Sequence, residues 1–360
     1  MATHFHSLTV ADVRKETPEC ISVVFEIPES LKETYGFVQG QNITLKQMIN
    51  GEELRRSYSI CSSPRENELR IAIKKMDDGR FSSWANANIK KGDVFEVLPP
   101  TGKFYTELNP VNQKHYLAFA AGSGITPILS IIKTTLAIEP KSHFTLVYGN
   151  RNRGSIIFKE QLEALKNMFM DRFVVHHILS REKTDASINY GRINAEKCEQ
   201  LAAKLIDINL VDDFFICGPE EMIFDVKNWL ESKNIDSKKL HFELFTTPGQ
   251  KTAQKKSEEE QAEHAGKSSD VTVKLDGIAF DFKLPYGGDS ILDAALKQGA
   301  DLPYACKGGV CATCRAKILE GAVSMDTNYA LEPDEIEKGF VLTCQSHPRT
   351  EKVVVDFDAR

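Results

Sequence analysis

Four cysteines near the carboxyl end restrict what this chain can fold into more than any other feature. Cys306, Cys311 and Cys314 follow the pattern Cys-x4-Cys-x2-Cys, and 29 residues separate Cys314 from Cys344. The other four cysteines, Cys20, Cys61, Cys198 and Cys217, are scattered. A chain of 360 residues is not the short secreted scaffold in which dense cysteines imply disulfides. The cluster therefore points to metal. Four thiolates must converge while the loop folds closely around them. Gly308 and Gly309, with small Ala305 and Ala312, let backbone N–H groups approach the sulfurs. The spacing fits two irons in a 2Fe–2S cluster. Structural zinc is the competing reading, but zinc ribbons join two Cys-x2-Cys pairs, and this chain has one.

The length implies two or three cores, and the hydrophobic pattern separates three. Residues 1–110 read as short strands: Ile21, Val23, Phe25 and Ile27 alternate with other residues, as do Leu69, Ile71 and Ile73. An antiparallel β-barrel is expected there. Over 111–246 the apolar runs Tyr116–Ala121, Phe144–Tyr148, Phe173–Leu179 and Phe214–Cys217 alternate with helical stretches Pro127–Leu136, Phe158–Asn167 and Glu220–Ser232. That alternation predicts an α/β domain with a parallel sheet. Residues 247–269 carry almost no large apolar side chain and read as a linker, about 25 Å end to end as a coil. In 270–360, Val271–Leu275 and Ile278–Phe282 flank Asp276-Gly277, a hairpin signal. Ser290 can cap a helix carrying Ile291, Leu292, Ala295 and Leu296 that ends near Gly299, just before the cysteine loop.

Several motifs carry a resemblance. Pro303–Arg315, with its three cysteines, looks like the cluster loop of plant-type ferredoxins, whose domain is β-grasp-like. Arg56-Ser57-Tyr58-Ser59 resembles the Arg-x-Tyr-Ser motif of the ferredoxin–NADP reductase superfamily. An arginine fork suits a pyrophosphate, and Tyr58 offers a flat aromatic face. Gly79-Arg-Phe-Ser-Ser-Trp84 opens a helical stretch, so Phe81, Ser82 and Ser83 fall at an anion-binding end. Gly122, Gly124, Thr126 and Pro127 lie in a Gly-x-Gly-x-Thr-Pro turn between strand and helix, and Cys217-Gly218-Pro219 with Met222 matches the family's Cys-Gly-Pro motif. The resemblance implies FAD on the first domain and a nicotinamide dinucleotide on the second. Tyr58, Ser59 and Cys217 would then stand at the site of hydride transfer. Ser180-Arg181, with Arg151, resembles the 2′-phosphate pair of NADPH-using members, which implies NADPH in preference to NADH. His176-His177 sit on neighbouring positions of a strand and face opposite ways, so they share no metal.

The segments Met325–Glu335 and Val353–Ala359 narrow the resemblance to the reductase subunits of phenylacetyl-CoA ring epoxidases. This implies an oxidoreductase passing electrons from NADPH to FAD, to 2Fe–2S, to the oxygenase subunits of a multicomponent di-iron monooxygenase. Oxygen chemistry belongs elsewhere: helix-bundle di-iron sites use Glu-x-x-His pairs, and none of the nine histidines has a glutamate three residues before it. A formal charge of −6 argues against nucleic acid. Residues 270–360 hold 15 acids against 10 bases, which suits a basic partner surface. Met1–Ser7 has neither a basic start nor an apolar run, and the uncharged stretch Tyr116–Ile132 is broken by glycine and proline, so a cytoplasmic protein without a membrane span is expected. Two other readings stay open: a reductase for another oxygenase, or a metal-stabilised redox-sensing module without turnover.

Overall fold

The computed structural model describes residues 4–245 and 266–359. Its contacts divide the chain into two compact bodies. One holds His6–Leu54 and Tyr58–Phe245, and the other includes the residues from 266 onward.

The first body begins with six antiparallel strands: β1 (His6–Thr17), β2 (Cys20–Glu26), β3 (Asn42–Ile49), β4 (Glu52–Ser59), β5 (Leu69–Lys74) and β6 (Val94–Thr101). Their order is β4-β3-β6-β1-β2-β5. A bridge between Ile60, just beyond β4, and Ile71 of β5 joins the two edges into the expected barrel. Leu8, Val23, Phe25, Ile43, Ile71, Phe95 and Val97 fill its core. Strand β2 is buried on both faces along most of its length rather than on one. Its outer face is covered in part by Arg70, whose guanidinium donates to Ser22 Oγ at 2.7 Å. Helix α1 (Arg80–Asn88) sends Phe81 and Ala85 into the same core.

The second half of this body is a five-stranded parallel sheet in the order β11-β10-β7-β8-β9. The strands are β7 (His115–Ala121), β8 (His143–Asn150), β9 (Phe173–Leu179), β10 (Asp213–Gly218) and β11 (Leu240–Leu244). Between them lie α2 (Ile125–Ile138), α3 (Lys159–Met168), α4 (Ala195–Lys204) and α5 (Glu220–Ser232). The chain leaves β7 toward β8 and later returns to its other side as β10, so strand order reverses between β7 and β10. Ligands of such sheets bind at the carboxyl ends beside that reversal. Helix α2 is apolar nearly all round because it is covered twice, by the sheet and by the barrel's 62–66 turn. Ser130 Oγ donates to the Ser62 carbonyl at 2.6 Å, Thr134 Oγ1 to Ser63 Oγ at 3.0 Å, and Lys133 pairs with Glu66 at 3.0 Å.

In the second body, β12 (Ser268–Leu275) and β13 (Ile278–Pro285) pair through Leu275 and Ile278. Asp276 and Gly277 both take positive φ, 53° and 73°, as the expected tight hairpin requires. Strands β14 (Arg315–Glu320), β16 (Phe340–Leu342) and β18 (Lys352–Asp356) complete a sheet ordered β13-β12-β18-β14-β16, with β12 and β18 parallel. A small ladder joins β15 (Val323–Met325) to β17 (Ser346–Pro348). Helix α6 (Ile291–Lys297), capped by Ser290 Oγ accepting from the Asp293 amide, packs Ile291, Leu292 and Ala295 against Val271, Leu342, Val353 and Val355. A five-residue helix, α7 (Pro333–Glu337), precedes β16. The architecture is the β-grasp-like one expected. Most of the linker expected over 247–269 lies outside the described residues. Its last two residues belong to β12, where Ser269 is buried.

Candidate active site and iron–sulfur centre

At the carboxyl ends of β7 and β10 two turns meet. Gly124 touches the backbone at the end of β10 so closely that an added Cβ would lie 2.0 Å from the Cys217 carbonyl oxygen and 2.7 Å from the Gly218 nitrogen. Gly124 has a φ of −59°, so space rather than φ demands glycine there. Gly122 does need its left-handed φ of 54°. A Cβ on Gly218 would meet Met222 and the Ala121 nitrogen. Thr126 Oγ1 donates to the Ser123 carbonyl at 3.0 Å, bracing the turn, and Pro127 follows in the buried first turn of α2. Pro219 is the N-cap residue of α5.

Cys217 is buried, and burial, reinforced by Glu243, pushes its thiol well above the ordinary range. Strand register sets Glu243 beside Cys217 across the parallel ladder. The same carboxylate accepts from Ser59 Oγ at 2.9 Å. Ser59 and Cys217, separately picked from sequence, thus converge on one glutamate that sequence reasoning missed. The alternation Leu240, Phe242, Leu244 was its only local signal. Lys74, at the end of β5, was missed as well: its Nζ would lie 3.2 Å from a Cβ on Gly122. Burial and then Arg151 lower its pKa.

On β4, Arg56 and Tyr58 occupy one face and Ser57 and Ser59 the other, by the two-residue period. Arg56 Nη1 donates to the Arg55 carbonyl at 2.7 Å. Tyr58 packs against Phe81, centroids 5.8 Å apart. Gly79 is the N-cap of α1, and the Ser83 amide already closes the helix onto the Gly79 carbonyl at 2.9 Å. The Ser83 amide is therefore already used, although Ser83 stands near the helix start as expected. The leading N–H groups are those of Arg80, Phe81 and Ser82. Ser82 Oγ accepts from the Met76 amide at 3.1 Å.

Arg151 lies beside Ser180-Arg181 at the carboxyl ends of β8 and β9. The Ser180 amide donates to the Asn150 carbonyl at 2.9 Å and the Arg181 amide to the Arg151 carbonyl at 2.8 Å. The neighbouring acid Glu182 turns to Arg153 instead, accepting from its amide at 2.8 Å and pairing with its guanidinium at 3.3 Å.

In the second body the four cysteines form two thiol pairs. Cys306 lies against Cys311 and lowers that thiol, and Cys314 lies against Cys344 and lowers it too. The Gly308 amide donates to Cys306 Sγ and Thr313 Oγ1 to Cys311 Sγ, both at 3.2 Å. Lys307, Gly309 and Ala312 all take positive φ, 49°, 76° and 54°, which curls the loop around its sulfurs. A Cβ on Gly309 would sit 2.8 Å from the Thr327 carbonyl. Two facing pairs suit two irons taking two thiolates each. No described helix is long and apolar enough to cross a membrane.

Comparison with known proteins matches three domain families in succession. They are an oxidoreductase FAD-binding domain over residues 7–105, an oxidoreductase NAD-binding domain over 119–228, and a 2Fe-2S iron-sulfur cluster binding domain over 273–349. The chain is 48% identical over 358 residues to a subunit of the 1,2-phenylacetyl-CoA epoxidase of Escherichia coli (strain K12), covering 99% of both. It is 33% identical to the ferredoxin reductase component of 3-ketosteroid-9-alpha-monooxygenase from Rhodococcus rhodochrous, covering 97% of this chain and 96% of that one. Phthalate dioxygenase reductase, at 22% identity, shares the fold with a TM-score of 0.57 over 98% of each chain. The chain therefore belongs to the oxidoreductase family of that epoxidase component, reductases in which FAD-binding, NAD-binding and 2Fe–2S domains follow one another on one polypeptide.

Proposed function

We propose that this chain is the NADPH-dependent reductase of a cytoplasmic di-iron oxygenase, the phenylacetyl-CoA ring epoxidase. The observation that carries the reading is the 48% identity to the Escherichia coli epoxidase component across 99% of both chains. When bound, the nicotinamide supplies a hydride, the flavin accepts that pair and releases electrons singly, and the cluster holds one at a time.

The chain's own residues bind, orient and insulate. Arg56 and the leading amides of α1, with Ser57 and Ser82, take the FAD phosphates. Tyr58, backed by the buried ring of Phe81, walls the flavin with aromatic surface. Ser59, fixed by Glu243, presents its hydroxyl at the flavin edge, and Cys217 stands as a neutral thiol where the nicotinamide stacks. The turn of Gly122, Gly124, Thr126 and Pro127 receives the dinucleotide, with Gly218, Pro219 and Met222 opposite. Arg151, Ser180 and Arg181 take the 2′-phosphate; the turning of Glu182 toward Arg153 supports this, because it removes the carboxylate next to Arg181 from competition. Cys306 with Cys311, and Cys314 with Cys344, ligate the two irons.

Reduction of an artificial acceptor by NADPH and by NADH tests the nucleotide choice, and adding candidate oxygenase subunits tests the client. NADPH is expected to be preferred, and epoxide is expected only with the epoxidase's oxygenase subunits present. Epoxide from this chain alone, or turnover with another oxygenase and none with the epoxidase, would overturn the reading. The likeness to the 3-ketosteroid reductase makes another oxygenase the second reading.

A further inference from the structure

Gln345 directly follows the fourth cysteine and is 1% exposed. Its Nε2 carries two hydrogens and reaches three acceptors, the Cys344 carbonyl at 2.8 Å, the Lys307 carbonyl at 3.0 Å and Cys344 Sγ at 3.4 Å, so the hydrogen aimed at Cys344 is shared between its carbonyl and its sulfur. Gln345 also packs against the cysteine loop, since a Cβ on Gly309 would lie 3.2 Å from its Cγ. Its Oε1 is buried with no hydrogen-bond partner among the described residues. A methionine or leucine would fill that space without stranding an acceptor, so packing alone is a poor reason for an amide here.

We infer that Gln345 is a positioning residue for the cluster: its amide ties the turn carrying Cys344 to the Cys306–Cys311 loop and stabilises the reduced state through an N–H···S bond. The inference rests on the ligand assignment proposed above. Reduction adds one electron and one unit of negative charge to the cluster; no bond breaks and no proton is needed. A donor aimed at a ligand sulfur stabilises the more negative state and raises the midpoint potential.

The test uses the full-length iron-loaded protein, with iron content, circular dichroism and a redox titration of the cluster followed by electron paramagnetic resonance. Gln345→Met keeps the bulk and removes the donor. At the wild-type midpoint it should shift the oxidised-to-reduced ratio about tenfold toward oxidised, a fall of about 59 mV for one electron. Gln345→Glu keeps the shape, places an acceptor against two carbonyls and a sulfur, and should fall further. A folded variant that no longer retains iron also supports the tie. Unchanged potentials in loaded variants, or loss of the fold in both, would make Gln345 a packing residue and overturn the inference. Wild-type protein without iron would instead sink the cluster assignment itself, so the two failures are distinguishable.

Discussion

Replacing Gly124 with alanine puts a methyl group 2.0 Å from the Cys217 carbonyl oxygen, where ordinary contact begins at 3.4 Å. The obstacle is backbone, with the Gly218 nitrogen only 2.7 Å away, so no side-chain rotation relieves it. Either the turn or the end of β10 must retreat by about 1.4 Å, overpacking that costs about 1–3 kcal/mol of stability. Cys217 moves with its carbonyl. A misplacement of about 1 Å at a reacting centre can cost about a hundredfold in rate. Anaerobic stopped-flow reduction of the flavin at saturating NADPH should therefore slow about a hundredfold in Gly124→Ala. Gly122→Ala is the control. It pays roughly 1–2 kcal/mol for its left-handed φ, but meets only the flexible end of Lys74 at 3.2 Å, so the hydride step should fall less than about tenfold. A folded Gly124→Ala protein reduced at the wild-type rate would refute the reasoning, as would equal slowing in both variants.

Three further outcomes follow from buried groups. Glu139 is fully buried and accepts from the Asn109 amide at 3.0 Å, Asn112 Nδ2 at 2.6 Å, Tyr116 Oη at 2.9 Å and Ser142 Oγ at 2.7 Å. Glu139→Leu strands these donors and should destabilise by about 3 kcal/mol or more in urea unfolding; a loss below about 1 kcal/mol would contradict this account. Burial raises the Asp213 pKa, but hydrogen bonds from His241 and Lys114 outweigh it and leave the pKa lowered. Its stabilisation is complete above the ordinary aspartate value, about 3.9, and is lost as pH falls through the lower folded value. Asp213→Asn should thus lose stability at neutral pH and converge on wild type in acid; a constant gap would show that the charge is not responsible. Because Cys217 remains a protonated thiol, iodoacetamide at about pH 8 should leave it unmodified until the protein unfolds. Labelling of the native protein there, read by peptide mass, would count against its burial.

The strands of the barrel and the parallel sheet were legible because their side chains alternate or run apolar over short lengths. Helix α4 was not expected, although Asn194 accepts from the Lys197 amide at 2.9 Å as an N-cap should. Strand β11 is short and sits at a sheet edge, so its pattern is weak, and Glu243 went unread with it. Its importance is non-local: it reaches Ser59 across 184 residues of sequence and Cys217 across a ladder. The close approach of Gly124 to the Cys217–Gly218 backbone is non-local too and left no mark in the sequence around it. Ser83 stands one helical position past the open amides, where its own N–H closes onto the Gly79 carbonyl, a distinction the motif alone does not carry. The cysteine loop was the most readable part, since its ligand spacing and glycines are local.

The hydroxyls of Ser130 and Thr134 and the ammonium of Lys133 rivet helix α2 to the turn that closes the barrel. That helix starts at the glycine turn, so folding itself welds the two nucleotide pockets into a single rigid jig. Their spacing is then set when the chain folds, before either nucleotide arrives.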